Sequence, residues 1–153
     1  MKNKNKYLLF FLSLLITCAT FSQQTNQART GLLKIIDNSL ERAVDQYKYL
    51  KANLPPGVLP KTYYPTKKLE TSNTGWWTSG FYPGSLLYLY ENSKDTGMLN
   101  EALRIQKLLE KEQFNKGTHD LGFMMFCSFG NANRLFPSKE YHDPMNGCSQ
   151  RLD

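Results

Sequence analysis

The sequence predicts an all-α fold built from helical hairpins. Three observations predict it: four segments are rich in apolar residues, the first with them at spacings of three and four, polar or proline-bearing breaks separate them, and no strand-type alternation of useful length occurs in the 153 residues.

The chain opens on a different kind of segment. Lys2, Lys4 and Lys6 precede an apolar run from Tyr7 to Ile16, broken only by Ser13, and Thr20, Phe21 and Ser22 lead into Gln23. A basic start, a short apolar run and a small polar exit describe an export signal over residues 1–22, and the run is too short to span a bilayer. A helix of the folded domain would show a polar face, which this run lacks. Leu15-Ile16-Thr17-Cys18 partly matches the box at which bacterial lipoproteins are cut and acylated, but Thr17 stands where a smaller residue is usual. Cleavage near Ser22 is the expectation, and membrane attachment follows only if Cys18 is lipidated.

The first predicted helix covers residues 30–53, where Leu33, Ile36, Leu40, Val44 and Tyr47 fall on one face. Leu54-Pro55-Pro56-Gly57 ends it. The stretch from Pro55 to Gly75, with further prolines at 60 and 65, reads as a long loop, packed rather than disordered because of Tyr63 and Tyr64. A second helix starts at Pro83, a residue suited to a first helical turn, and carries Leu86, Leu87, Leu89 and Tyr90. A third starts near Thr96 or Gly97 and presents Leu99, Leu103, Ile105, Leu108 and Leu109, with Glu101, Arg104, Lys107 and Lys111 assigned to the wet side. The fourth runs from Leu121 to Leu135 and, being apolar on all sides through Phe129, is expected deep in the fold. Lys139-Glu140-Tyr141 begins another helix that the run from Asp143 to Cys148 is expected to interrupt. Two hairpins bury little, so the chain reads as cut short, with residues 23–153 forming one part of a single larger domain.

Charge excludes one class of function. Three of the nineteen basic residues leave with the signal while all thirteen acids stay, and the mature excess is +3. Nucleic-acid binding calls for a basic stripe on a matching fold, and none is present. Of the mature cysteines, Cys127 lies in the apolar run from Phe123 to Phe129 and reads as a buried thiol rather than a disulfide partner of Cys148.

Two short segments carry the chemistry. In Trp76-Trp77-Thr78-Ser79-Gly80-Phe81-Tyr82-Pro83-Gly84 an aromatic turn feeds a helix. Tryptophans on a loop rim stack on the flat faces of sugar rings, and they equally fill cores. In Gly117-Thr118-His119-Asp120-Leu121-Gly122-Phe123 an imidazole and an acid stand at the mouth of the most apolar helix. Asp120 fits a helix cap as well as a catalytic acid. The two segments occupy matching loop–helix junctions, and a helical barrel would converge them at one end.

The run from Trp77 to Gly84, followed about thirty-five residues later by His119-Asp120-Leu121-Gly122-Phe123, resembles the unsaturated glucuronyl hydrolases, glycoside hydrolase family 88. The similarity covers residues 30–142, and the ordered pair of motifs is far more specific than either one. It implies an (α/α)6 barrel of six hairpins, of which this chain would supply the opening part. It implies as substrate an unsaturated uronic-acid oligosaccharide left by a polysaccharide lyase, hydrolysed through acid-catalysed hydration of its C4=C5 enol ether. Residue by residue, it implies Asp120 as a catalytic supporting carboxylate, His119 as a substrate contact and Trp77, with Trp76 beside it, as a stacking platform. The principal proton donor would lie downstream of Asp153, leaving this chain inactive alone. No metal or cofactor is expected. Two other functions fit the same residues, an unsaturated rhamnogalacturonyl hydrolase and a non-catalytic carbohydrate-binding helical module. Export together with this chemistry points to a periplasmic setting.

Overall fold

The computed structural model describes residues 29–149, and of residues 148 and 149 the backbone alone. The predicted export segment over 1–22, Cys18 and the Cys148 side chain therefore lie outside the described residues. Two units divide the chain, 1–39 and 40–153. Helix α1 covers residues 29–53. In the first unit its residues are exposed, Leu33 and Ile36 of the predicted stripe among them, and Ser39 donates from Oγ to the Ile35 carbonyl at 2.7 Å.

In the second unit the rest of the stripe packs as predicted: Val44 is buried, with Leu40 and Tyr47 against the core. The predicted loop after it contains an antiparallel hairpin, β1 (Leu59–Tyr63) and β2 (Leu69–Ser72), with Leu59 opposite Ser72 and Tyr63 opposite Leu69. A register shift between Pro60 and Thr62 breaks the alternation by which the hairpin could have been read. Leu59 alone of the nine strand residues is fully buried, so polar pairs do the rest: Lys61 reaches Glu70 at 2.6 Å, and the Tyr64 hydroxyl donates to Glu70 at 2.7 Å.

Helix α2 (Phe81–Ser93) begins two residues before Pro83, which occupies the first turn, where a missing N–H leaves no helical bond unmade. It ends at Lys94, in the left-handed region with φ 59°, and the next residue, Asp95, caps α3 (Thr96–Leu109) by accepting from the Gly97 N–H at 2.8 Å. So short a link folds α3 back on α2 as a hairpin. Met98, Ala102, Ile105 and Leu109 form the buried face of α3. Glu101, assigned to the wet side, is instead 2% exposed. Arg104 explains this: its Nε and Nη2 donate to the two Glu101 oxygens at 2.8 and 2.7 Å, a paired fork that lets the carboxylate leave water.

A 3-10 turn (Glu110–Phe114) leads to the fourth predicted helix, which is realised in three pieces: α4 (Leu121–Met125), a π turn (Phe126–Gly130) and α5 (Asn131–Leu135). Side chains take up carbonyls that the widened turn releases. Ser128 donates to the Met124 carbonyl at 2.5 Å and Asn131 to that of Cys127 at 2.9 Å. Leu121, Met124, Met125 and Phe129 are deep, whereas Phe123 and Phe126 are about half exposed, so the segment is two-faced rather than wholly interior. Cys127 is a free, half-buried thiol, and burial pushes its pKa up. Helix α6 (Lys139–Ser149) runs through Pro144, against the expected interruption, with Pro144 buried and Tyr141 and Met145 packed on the core. Packing of that face outweighs the one helical bond that proline removes. Among the described residues no helix is long and apolar enough to cross a membrane.

Candidate active site

Glycine determines where the two motifs meet. A Cβ at Gly80 would collide with the backbone carbonyls of Phe123 and Met124, and one at Gly84 with that of Cys127. The contact positions advance together along both segments, so α2 and the α4–π segment run side by side in the same direction. Their N-terminal ends therefore share one end of the second unit. Trp77, just before α2, and Asp120, at the start of α4, are brought to that end by the absence of two side chains.

An aromatic cluster forms there. Trp77 meets Phe81 edge-on at 5.7 Å and Phe123 at 6.2 Å, and Phe81 meets Phe123 at 6.1 Å. All three rings remain open to solvent, at 40%, 38% and 51% exposure. Mutual edge-to-face contact holds each ring in place while a flat face stays available, which is what stacking on a sugar requires. Phe81 and Phe123 sit inside the two motifs, yet neither was a predicted site residue. Their three-residue offset from Asp120 on one side and four-residue offset from Trp77 on the other was the available signal.

Trp76 is placed differently. It is 39% exposed, and its ring carries the Lys61 ammonium of the hairpin at 4.5 Å instead of joining the cluster. Lys61 in turn holds Glu70, whose pKa is lowered by hydrogen bonds from Lys61 first and Tyr64 second.

Asp120 occupies the N-cap position of α4 but makes no capping bond with its side chain. The helix start is instead supported through backbone: Met124 N–H donates to the Asp120 carbonyl at 3.3 Å, and the Asp120 N–H donates to Thr118 Oγ1 at 3.1 Å. The capping explanation of this aspartate is thus removed, and its half-exposed carboxylate is not spent on the helix. His119 is exposed beside it. Two depressions, of about 550 and 720 Å³, are lined respectively by Thr74, Lys107 and Phe114 among others and by Tyr47, Tyr49 and Tyr63 among others. Trp77, His119 and Asp120 line neither of these two. No group of three potential metal ligands occurs among the described residues.

The fold and this end of it define an α/α-hairpin scaffold of the kind on which glycoside hydrolases are built. The particular likeness is to unsaturated glucuronyl hydrolases. One from Formosa agariphila is 38% identical over 66 residues, which are 43% of this chain and 16% of that protein. The crystal structure of an unsaturated glucuronyl hydrolase specific for heparin superposes with a TM-score of 0.69 at 37% identity, over 76% of this chain and 31% of that one. The chain thus spans less than a third of the length of these relatives. No family model matches it. The resemblance read from the two motifs is carried by both sequence and fold.

Proposed function

We propose that this chain contributes the opening hairpins and one wall of the substrate site of a hydrolase of unsaturated glucuronyl oligosaccharides, and that it is exported to the periplasm. The observation that carries the reading is the conjunction at one end of the second unit: a rigid, exposed ring cluster around Trp77 and an Asp120 carboxylate that caps nothing.

In the proposed reaction, a carboxylic acid protonates C4 of the C4=C5 enol ether and positive charge develops at C5, shared with the ring oxygen. Water adds at C5 and gives its proton to a carboxylate. The resulting C5 hemiketal opens by breaking C5–O5, which gives a ketone at C5 and leaves a hemiacetal at C1; that hemiacetal then breaks down to an aldehyde, expelling the leaving sugar as its alcohol and releasing the hydrated residue as an open-chain keto acid. Two neighbouring carboxyls suit this work because both cannot ionise cheaply, so one retains a proton near neutral pH. Asp120 is the supporting member, Trp77 stacks on the sugar, Trp76 extends that platform toward the hairpin and His119 contacts substrate. Glu70, Glu91, Asp95, Glu101 and Glu112 are committed to hydrogen bonds or ion pairs of their own and are not free to be the second acid.

The test follows the absorbance of the C4=C5 bond in an unsaturated disaccharide. The 153-residue chain is expected to bind the sugar and leave that absorbance unchanged. Turnover by this chain would overturn the assignment of Asp120 as a supporting group only. The solvent-exposed ring cluster supports one second reading, a sugar-binding module without chemistry. Asp120→Asn in the longest chain that turns over the sugar separates the two: an enzyme loses rate and keeps most binding, whereas a module has no rate to lose. Mass spectrometry of the mature N-terminus tests export, a start near Gln23 being expected and an acylated Cys18 the alternative.

A further inference from the structure

We infer that Glu112 is a positioning residue that sets the tryptophan loop against the His119–Asp120 turn. The inference rests on the reading of Trp77 and Asp120 as parts of one sugar site. Glu112 lies on the 3-10 turn and is 9% exposed. Its Oε1 accepts from Thr74 Oγ1 at 2.5 Å, across 38 residues of sequence, and its Oε2 accepts from Asn115 Nδ2 at 2.9 Å. Lys111 Nζ stands 3.9 Å from Oε1.

Each end of this carboxylate continues into one motif. On one side, buried Thr74 is followed by an asparagine-capped turn in which Asn73 accepts from Gly75 N–H at 3.0 Å and from Trp76 N–H at 3.3 Å, so the loop's first turn is fixed directly beside the contact. On the other side, Asn115 Oδ1 accepts from Gly117 N–H at 2.8 Å, and Thr118 Oγ1 then accepts from Asp120 N–H. The two oxygens of one carboxylate are a fixed distance apart, so accepting one bond from each segment fixes their separation. The glycine contacts set the same end of α2 against α4 from the core side. Glu112 does so from the loop side, through polar bonds. A buried carboxylate oxygen that loses its donor is costly, which gives the arrangement a restoring force.

Thr74→Val keeps the shape and deletes the donor, and Thr74→Ser keeps the donor. In NMR spectra of the 153-residue chain, Thr74→Val and Glu112→Gln are expected to shift the indole N–H of Trp77 and the backbone amides of Gly117, His119 and Asp120, with Thr74→Ser close to the native spectrum. Affinity for an unsaturated disaccharide is expected to fall about tenfold in the first two variants and to be retained in the third. Shifts confined to the neighbours of Thr74, or a lowered melting temperature with unchanged affinity of the folded molecules, would overturn the inference. If the native chain does not bind the disaccharide, the proposed function fails, and the response of the Asp120 amide still decides the role of Glu112.

Discussion

Trp77 and Arg104 show how far one side chain's effect depends on what its partners leave unsatisfied. Trp77 is held by two phenylalanine edges and keeps its outer face wet. Trp77→Ala should therefore weaken binding of an unsaturated disaccharide by about 1.5 kcal/mol, roughly tenfold in Kd by calorimetry, with a melting temperature little changed. Trp76→Ala should cost less, because that ring's contact is with a lysine already paired to Glu70. Arg104 is half exposed, yet its removal strands a carboxylate that is 2% exposed, with Lys51 3.9 Å away as the remaining cation. Arg104→Ala should lower unfolding stability by about 2 kcal/mol in urea, and Arg104→Lys should recover part of it, a single ammonium replacing a fork. Equal stability of the native and alanine forms would show that Glu101 is reached by water.

The elements were legible in the sequence to different degrees, and physics explains the order. Helix α3 was legible because its buried face repeats with the helical period, and α2 because Pro83 marks its first turn and an apolar run follows. The hairpin was not, since β1 and β2 mix Lys, Thr, Tyr and Glu on a half-wet surface and carry a register shift. Glu101 and Glu112 were misread or passed over because a charged residue on a helix has the same pattern whether water or a paired side chain meets it, and Thr74 lies 38 residues from Glu112. The site was legible as two motifs, while their meeting was not, because the residues that bring them together are two glycines whose effect is an absent Cβ. That last point is testable. Gly80→Ala and Gly84→Ala should each cost about 3 kcal/mol or more, since the new methyl meets immobile backbone carbonyls. Gly122→Ala, with nothing within 4 Å of the new Cβ, is the control. It should be neutral or stabilise the chain by about 0.5–1 kcal/mol through helix propensity. If all three lower the melting temperature alike, the close approach of α2 to α4 is not what Gly80 and Gly84 serve.

Across the second unit, three ion pairs join separate segments, and the acids of these three are shifted in one direction. Arg134 forks onto Glu91 at 2.8 and 2.7 Å and so ties α5 to the end of α2, with its guanidinium 5.2 Å from the Tyr88 ring. Lys48 joins α1 to the cap of α3 through Asp95 at 2.7 Å, and Lys61 joins the hairpin strands through Glu70. Hydrogen bonding to Arg134 lowers the pKa of Glu91, that to Lys48 and then the Gly97 N–H lowers Asp95, and that to Lys61 and then Tyr64 lowers Glu70. A carboxyl whose folded pKa is depressed stabilises the fold at pH values above its unfolded pKa of about 4, and the contribution disappears as pH falls through the lower folded value. The melting temperature should therefore vary little on account of these groups between neutrality and about pH 5, then drop progressively below about pH 4. All three pairs reach solvent on at least one side, so salt should shrink the drop. Glu91→Gln should begin with a slightly lower melting temperature at neutral pH and lose less of it on acidification, because one of the three titrating contributions is already gone. A native chain that melts at the same temperature at pH 3 and pH 7, or a Glu91→Gln profile parallel to the native one, would mean that these bridges order the surface without stabilising it.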